Sequence, residues 1–499
     1  VDNPFAFRLR GLAGWRADLA AAGLGALAAL ALPPLFVLPA LLVAVPGLLA
    51  LLHGAGTGRQ AFRRGFWFGV AHHIVGLYWI TDAILFEARE FWWLVPLAVP
   101  ALAAVLALFI AVPCAVAWRA APGLPRACAL AGAWVLADIA RQYALTGFPW
   151  NPWGSVWELP GVAGDIMIQP AAWVGVHGLT LATVLLAATP ALGRRAIAGA
   201  GLGLALWAGA GIARLHRTLP APPGVTVVLV QGNVAEGQRW NPALAMEIFT
   251  RYLDLTARGM AGVARGVAVW PETASPYLLD QDAGARAAIL QATGGQPALV
   301  GTIRFDAAGQ PRNSLVALTT GGPPVAIYDK WHLVPFGEYI PAWLPVPVKF
   351  GLPASFVAGP GPRTLLVPGL PPVGALICYE AIFPGQAVEP AHRPDWLVNI
   401  TNDAWFGDSS GPRQHLAAVR MRAVEEGLPV MRAANTGISA AFDAMGHEIA
   451  GLGMNRAGVL KVNLPAPRPP TWFARFGSWS AAALALLAFL PAVVRKRIR

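Results

Sequence analysis

Three residues of this chain carry side chains that together suffice for acyl transfer: a thiol, a carboxylate and an ammonium. Cys378 closes the apolar run Val373-Gly374-Ala375-Leu376-Ile377. Glu272 follows Val267-Ala268-Val269-Trp270-Pro271, and Lys330 follows Val325-Ala326-Ile327-Tyr328-Asp329. A carboxylate can take the thiol proton, and an ammonium can stabilise both a thiolate and the oxyanion that forms when it attacks a carbonyl. Each residue alone has a plainer reading. A lone buried cysteine fills core space, a Glu after Trp-Pro caps or pairs, and a Lys at a strand end is solvated. The combination is what points to chemistry. Glu380 lies two residues beyond Cys378 and would share its face if the strand ran on.

The elements that must position these residues alternate in type. Strands are expected at 225–230, 266–270, 298–303, 314–319, 325–328, 373–378, 396–400, 438–442 and 459–462, with helices at 241–260 and 411–426. Such alternation predicts a layered α/β domain. All three candidate residues end or follow apolar strands, where layered α/β folds place their chemistry. Pro-rich pieces at 219–223 and 465–470 mark its limits, giving a domain of residues 218–470.

The remainder reads differently. The chain of 499 residues is 56% hydrophobic and only 13% charged, with mean hydropathy +0.53, which predicts an integral membrane protein. Seven spans are expected before the domain, near 13–32, 34–52, 64–82, 92–118, 127–145, 166–190 and 196–213, so that 1–217 forms a bundle. An eighth near 474–494, with a basic tail, makes up 471–499. Residues 218–470 hold 18 basic and 18 acidic residues, and the rest of the chain holds 19 and 8, so the whole net charge of +11 belongs to loops between hydrophobic segments. That is topology charge and no nucleic-acid footprint. Arg8 and Arg10, Arg59 with Arg63 and Arg64, Arg119 and Arg126, Arg194 and Arg195, and the tail Arg495-Lys496-Arg497-Ile498-Arg499 fall on one side. The alternate loops, such as 81–90 with Asp82, Glu87 and Glu90 against Arg89, are poor in positive charge. The expected arrangement is therefore multi-pass in a bacterial inner membrane, with cytoplasmic termini and a periplasmic domain. The tryptophans of the loop 147–157 would sit at the headgroup level or meet lipid.

Three cysteines give no disulfide framework. His332, His392 and His415 show no ligand spacing and no phosphate-binding loop occurs, so neither a metal nor a cofactor is expected. The Pro- and Gly-rich stretch near 336–360 is a candidate lid or a plain surface loop. A membrane-tethered amidase and a non-catalytic lipid-binding scaffold or transporter are alternatives on these features alone.

Longer motifs narrow the choice. Trp270-Pro271-Glu272-Thr273-Ala274, the run Tyr328 to Tyr339 (YDKWHLVPFGEY), Ile377-Cys378-Tyr379-Glu380, Asn399 to Gly407 (NITNDAWFG), Arg432 to Ser439 (RAANTGIS) and Gly147-Phe148-Pro149-Trp150 resemble the bacterial apolipoprotein N-acyltransferases, a membrane-embedded branch of the nitrilase (carbon–nitrogen hydrolase) superfamily. The resemblance implies a polytopic α-helical membrane bundle of about eight spans carrying an extramembrane nitrilase-like αββα sandwich. It implies Cys378 as nucleophile, Glu272 as general base and Lys330 as oxyanion stabiliser. Glu338 and Glu380 match further acidic positions of the family site, and Trp240, Asn313 and Tyr379 match positions tied to substrate access or site geometry. The implied reaction moves an acyl chain, typically the sn-1 chain of phosphatidylethanolamine, to the α-amine of an S-diacylglyceryl-cysteine apolipoprotein, in a monomer without cofactor. Trp331 departs from the pattern, since a polar residue is common there, as does Asn151-Pro152-Trp153.

Overall fold

The computed structural model describes residues 4–85, 92–218, 220–239, 241–319, 322–342 and 355–492. Trp240, residues 343–354 of the candidate lid, the loop charges Glu87, Arg89 and Glu90, and the basic tail lie outside the described residues. The chain divides into two compact units, residues 1–217 with 472–499, and residues 218–471.

The first unit is helical: α1 (Gly14–Ala29), α2 (Leu41–His53), α3 (Gly58–Gly76), α4 (Val95–Trp118), α5 (Leu124–Tyr143), α6 (Ala171–Leu192), α7 (Arg194–Leu215) and a final helix Trp479–Leu487. Among the described residues, three helices are long and apolar enough to cross a membrane: 92–118, Ala171–Leu192 and Arg194–Leu215. Leu38–His53 and Trp479–Ala492 are apolar but shorter. Three expected spans are interrupted. The one at 64–82 ends with α3 at Gly76 and resumes as a separate helix, Ile80–Leu85. The one at 166–190 is a short helix, Val162–Met167, followed by α6, which Gly175 breaks at φ 63. The one at 474–494 is divided at Gly477, φ 57. Hydropathy sums over such breaks because an apolar glycine leaves the average unchanged.

Small residues bring the helices together. A Cβ at Gly69 would lie 2.8 Å from Ala107 Cα, so α3 and α4 meet backbone to backbone. The loop tryptophans expected at the headgroup level are buried instead: Trp150 is 4% exposed and Trp153 2%. Trp150 packs 4.8 Å from Trp79, and Trp153 packs 4.5 Å from Trp134 and donates to His72 Nε2 at 3.3 Å. Their rings fill the bundle where helices end, a role that composition cannot separate from an interfacial belt.

The second unit is two six-stranded sheets. Its strands are β1 (Thr226–Gln231), β2 (Gly266–Val269), β3 (Ala298–Phe305), β4 (Pro311–Leu318), β5 (Ala326–Asp329), β6 (Thr364–Leu365), β7 (Val373–Ile377), β8 (Trp396–Thr401), β9 (Val430–Ala434), β10 (Ser439–Phe442), β11 (Glu448–Leu452) and β12 (Gly458–Asn463). One sheet runs β12-β1-β2-β3-β4-β5, the other β11-β10-β9-β8-β7-β6. In each, three parallel strands form the middle: β1, β2 and β3 in one, β7, β8 and β9 in the other. Alternation places Val227 and Leu229 of β1 in a core shared with Ala375, Ile377, Val398 and Ile400 of the opposite sheet. Val228 and Val230 face the other way, onto α8 (Ala245–Met260) and α9 (Ala283–Ala292). The second sheet covers its outer face with α10 (Gly411–Glu426), through Val419 and Ala423 against Leu376 and Val430. The layers are thus helix, sheet, sheet, helix, as a nitrilase-like sandwich requires.

Candidate active site

Parallel strands end together, and that fixes the site. β5 is antiparallel to β4, which is antiparallel to β3, so β5 runs with β2 and β3 and delivers Lys330 to the same edge as Glu272. Asn313 reaches that edge from the start of β4, opposite Ile303 at the end of β3. From the second sheet, β7 ends at Ile377, just before Cys378, and β8 ends at Thr401, just before Asn402-Asp403. The Glu272 turn comes in close because β3 has a glycine beneath it. A Cβ at Gly301 would sit 2.0 Å from Pro271 O and 2.8 Å from Glu272 Cα.

Lys330 is the hub. Its Nζ lies 3.0 Å from Glu272 Oε1 and 2.9 Å from Glu338 Oε2, and the residue is 1% exposed. Asn313 Nδ2 donates to both carboxylates, at 2.7 Å to Glu272 Oε1 and 2.8 Å to Glu338 Oε1. The backbone N–H of Asn402 takes the other Glu272 oxygen, at 2.9 Å. Burial alone would raise the Glu272 carboxyl, but the charge of Lys330 and the bonds from Lys330 and Asn313 outweigh it and hold the group below the usual carboxylate range. Burial alone would lower the ammonium, yet Glu272, Glu338 and the nearby thiol push it up. Glu272 and Lys330 therefore rest as an ion pair. The Cys378 thiol is pushed far up, first by burial and then by the Glu272 charge, with Lys330 opposing. At rest Cys378 is therefore a neutral thiol and Glu272 an ionised carboxylate.

Cys378 stands outside β7, which stops at Ile377. The residue opens a 3₁₀ turn, Cys378–Ile382, at φ 50, a left-handed conformation that a non-glycine residue adopts at a cost of about 1–3 kcal/mol. The strand thus does not run on, and Glu380 does not share a face with the thiol. Its carboxylate turns back instead. Oε2 accepts from Ile377 N at 2.6 Å and Tyr328 Oη at 2.9 Å, and Oε1 accepts from Trp331 N at 2.7 Å. Glu380 ties the nucleophile turn to the segment bearing Lys330. Trp331 contributes to this tie by its backbone, while its ring packs on the inter-sheet core and 4.3 Å from the His332 ring. The Tyr379 ring packs against Phe383 edge-on, with centroids 5.2 Å apart. His332 is held near pKa 4 by burial and the Lys330 charge, so it is neutral.

Five further residues complete the site. Thr401 lies within hydrogen-bonding reach of the thiol and donates to Asp403 Oδ1 at 2.9 Å. His415 Nδ1 meets the same oxygen at 2.9 Å, and Arg432 binds Asp403 Oδ2 at 2.5 Å. Asn402, Asp403 and Arg432 fall inside motifs quoted above, without a role. In sequence, His415 stands out only as a possible metal ligand. Cys378, Asp403 and His415 do place ligand atoms within 4.8 Å of one another. Both Asp403 oxygens are already committed, one of them to a guanidinium, so the group fits an anchoring network better than a cation site. The signal available in sequence was the spacing of Asn402-Asp403 just past a strand end, the same edge as Cys378.

Comparison with known proteins decides the family. The apolipoprotein N-acyltransferase N-terminal domain model matches residues 24–189, and the carbon-nitrogen hydrolase model matches 231–468. A protein of Rhodopseudomonas palustris named apolipoprotein N-acyltransferase is 37% identical, covering 97% of this chain and 96% of its own. One of the same name from Bradyrhizobium diazoefficiens is 39% identical over the same shares. The chain belongs to the apolipoprotein N-acyltransferase family. An amidase of Nesterenkonia sp. AN1 is similar at a TM-score of 0.37 and 19% identity, covering 48% of this chain and 93% of that one, which adds nothing to the assignment. Within the N-acyltransferase family, the hydrolase match coincides with the sandwich and contains every described site residue named here.

Proposed function

We propose that the protein transfers an acyl chain from a membrane phospholipid, through a thioester on Cys378, to the α-amine of an S-diacylglyceryl-cysteine apolipoprotein. The observation that carries this reading is the convergence of Cys378 with an ionised Glu272 and a doubly paired Lys330, in a chain of the N-acyltransferase family. As the thiol attacks the sn-1 ester carbonyl, its proton passes to Glu272 and the carbonyl oxygen becomes an oxyanion. Lys330 neutralises that charge. The tetrahedral species collapses by breaking the C–O bond, and Glu272 returns the proton to the departing lysophospholipid oxygen. The α-amine then attacks the thioester, Glu272 takes its proton, and the C–S bond breaks with reprotonation of sulfur. Two half-reactions through one acyl-enzyme imply ping-pong kinetics. Glu338 and Asn313 keep Lys330 and Glu272 in register through both.

Both substrates are lipids, so the reading extends to placement. Eight spans, cytoplasmic termini and a periplasmic catalytic domain of residues 218–470 would let a monomer meet donor and acceptor in the outer leaflet. The loop arginines and the apolar helices support this arrangement.

The test is direct. Purified protein incubated with phospholipid should gain one acyl mass on Cys378 and release lysophospholipid. Cys378→Ala should do neither, and full transfer by that variant would sink the reading. Hydrolysis of a small amide with no lysolipid would favour a tethered amidase.

A further inference from the structure

Cys378, His415 and Asp403 lie together like a cysteine–histidine–aspartate triad, but the hydrogen bonds do not follow a triad's order. In a triad the imidazole bonds the sulfur. Here His415 Nε2 lies 3.0 Å from the carbonyl oxygen of Cys378. A carbonyl only accepts, so Nε2 carries a hydrogen and donates it. The nitrogen that would serve as a base toward the thiol is spent on the backbone. The other nitrogen is engaged by Asp403. His415 is fully buried, with Phe406 packed 6.1 Å from it in a T-shaped arrangement.

We infer that His415 is a positioning residue for the nucleophile: backed by Asp403 and Arg432, it clamps the Cys378 carbonyl and so holds the backbone turn from which the thiol projects. The inference rests on the reading of Cys378 as nucleophile. Several features of the network support it. Arg432 Nη1 bonds Asn399 Oδ1 at 2.6 Å, and Asn399 Nδ2 bonds Leu376 O at 3.1 Å. One guanidinium therefore anchors the carbonyl at Cys378 through Asp403 and His415, and the carbonyl at Leu376 through Asn399. Glu380 takes the N–H of Ile377 between them. Three backbone groups around the nucleophile are fixed from two directions, at the point where the chain adopts φ 50. The peptide joining Cys378 to Tyr379 is planar and trans, so fixing its C=O toward His415 also fixes the Tyr379 N–H on the opposite side. Thr401 lies by the sulfur and bonds the same Asp403. The aspartate thus aligns both the backbone and the thiol of one residue.

The experiment separates a clamp from a base. Single-turnover formation of the acyl-enzyme is measured by mass spectrometry with a labelled phospholipid, for wild type, His415→Ala and His415→Gln, each checked for folding by its thermal transition. A glutamine amide can donate to the Cys378 carbonyl but cannot take a proton. His415→Ala should acylate about 10²-fold more slowly, the scale of a displaced reacting group, while His415→Gln should stay within about tenfold of wild type. A folded His415→Gln as slow as a proton-transfer knockout, or a His415→Ala at the wild-type rate, overturns the inference. If His415→Ala does not fold, His415→Gln alone decides. Wild-type protein that forms no adduct on Cys378 fails the underlying reading instead, and is told apart in the same assay.

Discussion

Lys330 places one positive charge between two carboxylates, and that count governs the site. With Glu272 and Glu338 both within 3.0 Å of its ammonium, the ion pair leaves one negative charge over, and the thiol has no incentive to ionise before substrate arrives. In the proposed mechanism the oxyanion that forms during attack brings a further negative charge, so Lys330 would be worth most at that moment. Glu380 works by geometry rather than charge. Burial pushes it up to about 7, against three donors that favour the carboxylate. A folded-state value raised above the unfolded one near 4.5 contributes stability that is present at acid pH and lost as pH rises through about 7. Glu380→Gln carries no titrating group. Wild type should therefore lose up to about 3 kcal/mol relative to this variant between pH 4.5 and 8, read from unfolding midpoints across that range. A difference that stays flat with pH would refute the assignment. In addition, the glutamine amide confronts buried N–H donors it cannot accept from, which costs about 1–3 kcal/mol at every pH.

At the scale of elements, the glycine beneath the Glu272 turn is the tightest constraint. Gly301→Ala drives a methyl into the backbone of Pro271 and Glu272, which has no flexible end to give way. Overpacking of this kind costs about 1–3 kcal/mol or more, and it should displace the base. The expected outcome is a lowered thermal midpoint together with acyl-enzyme formation reduced more than the folded fraction explains. How far such constraints can be read without coordinates varies by element. β1, β2, β8 and α10 stand within a residue or so of their expected limits, because apolar β-branched runs and a long helix announce themselves. β9, β11 and α9 are not legible in this way: β9 carries Arg432 in its middle, β11 is largely exposed, and α9 is a ten-residue helix set apart from β2 by the irregular stretch 270–282. The acid, ammonium and thiol were legible because each sits at a strand end. The turn at Cys378 was not, since φ is invisible in a sequence that offers no glycine there. Nor was the clamp, because His415 lies inside a helix and reaches a main-chain atom 37 positions away.

For the whole molecule, the partition of charge makes a prediction about sidedness. The sandwich is electrically neutral by count, whereas the rest of the chain carries all of the excess positive charge. Single cysteines introduced by Asp254→Cys on the exposed face of α8 should react with a membrane-impermeant maleimide in intact cells. Arg59→Cys and Arg195→Cys should react only after permeabilisation. Labelling of all three in intact cells would break the proposed topology. Of the native cysteines Cys114 and Cys378 are buried and Cys128 is half-buried, so the labelling is read in a Cys128→Ala background.

One consequence of the protonated thiol reaches beyond catalysis. Thiolates attack peroxides and disulfides, whereas a neutral thiol does so slowly. A buried thiol such as Cys378, kept protonated by its surroundings, is therefore protected from sulfenic acid formation while it stays neutral. The same burial and the same neighbouring carboxylate that delay ionisation would let this cysteine stay reduced where cysteines are routinely oxidised, without a second thiol to rescue it.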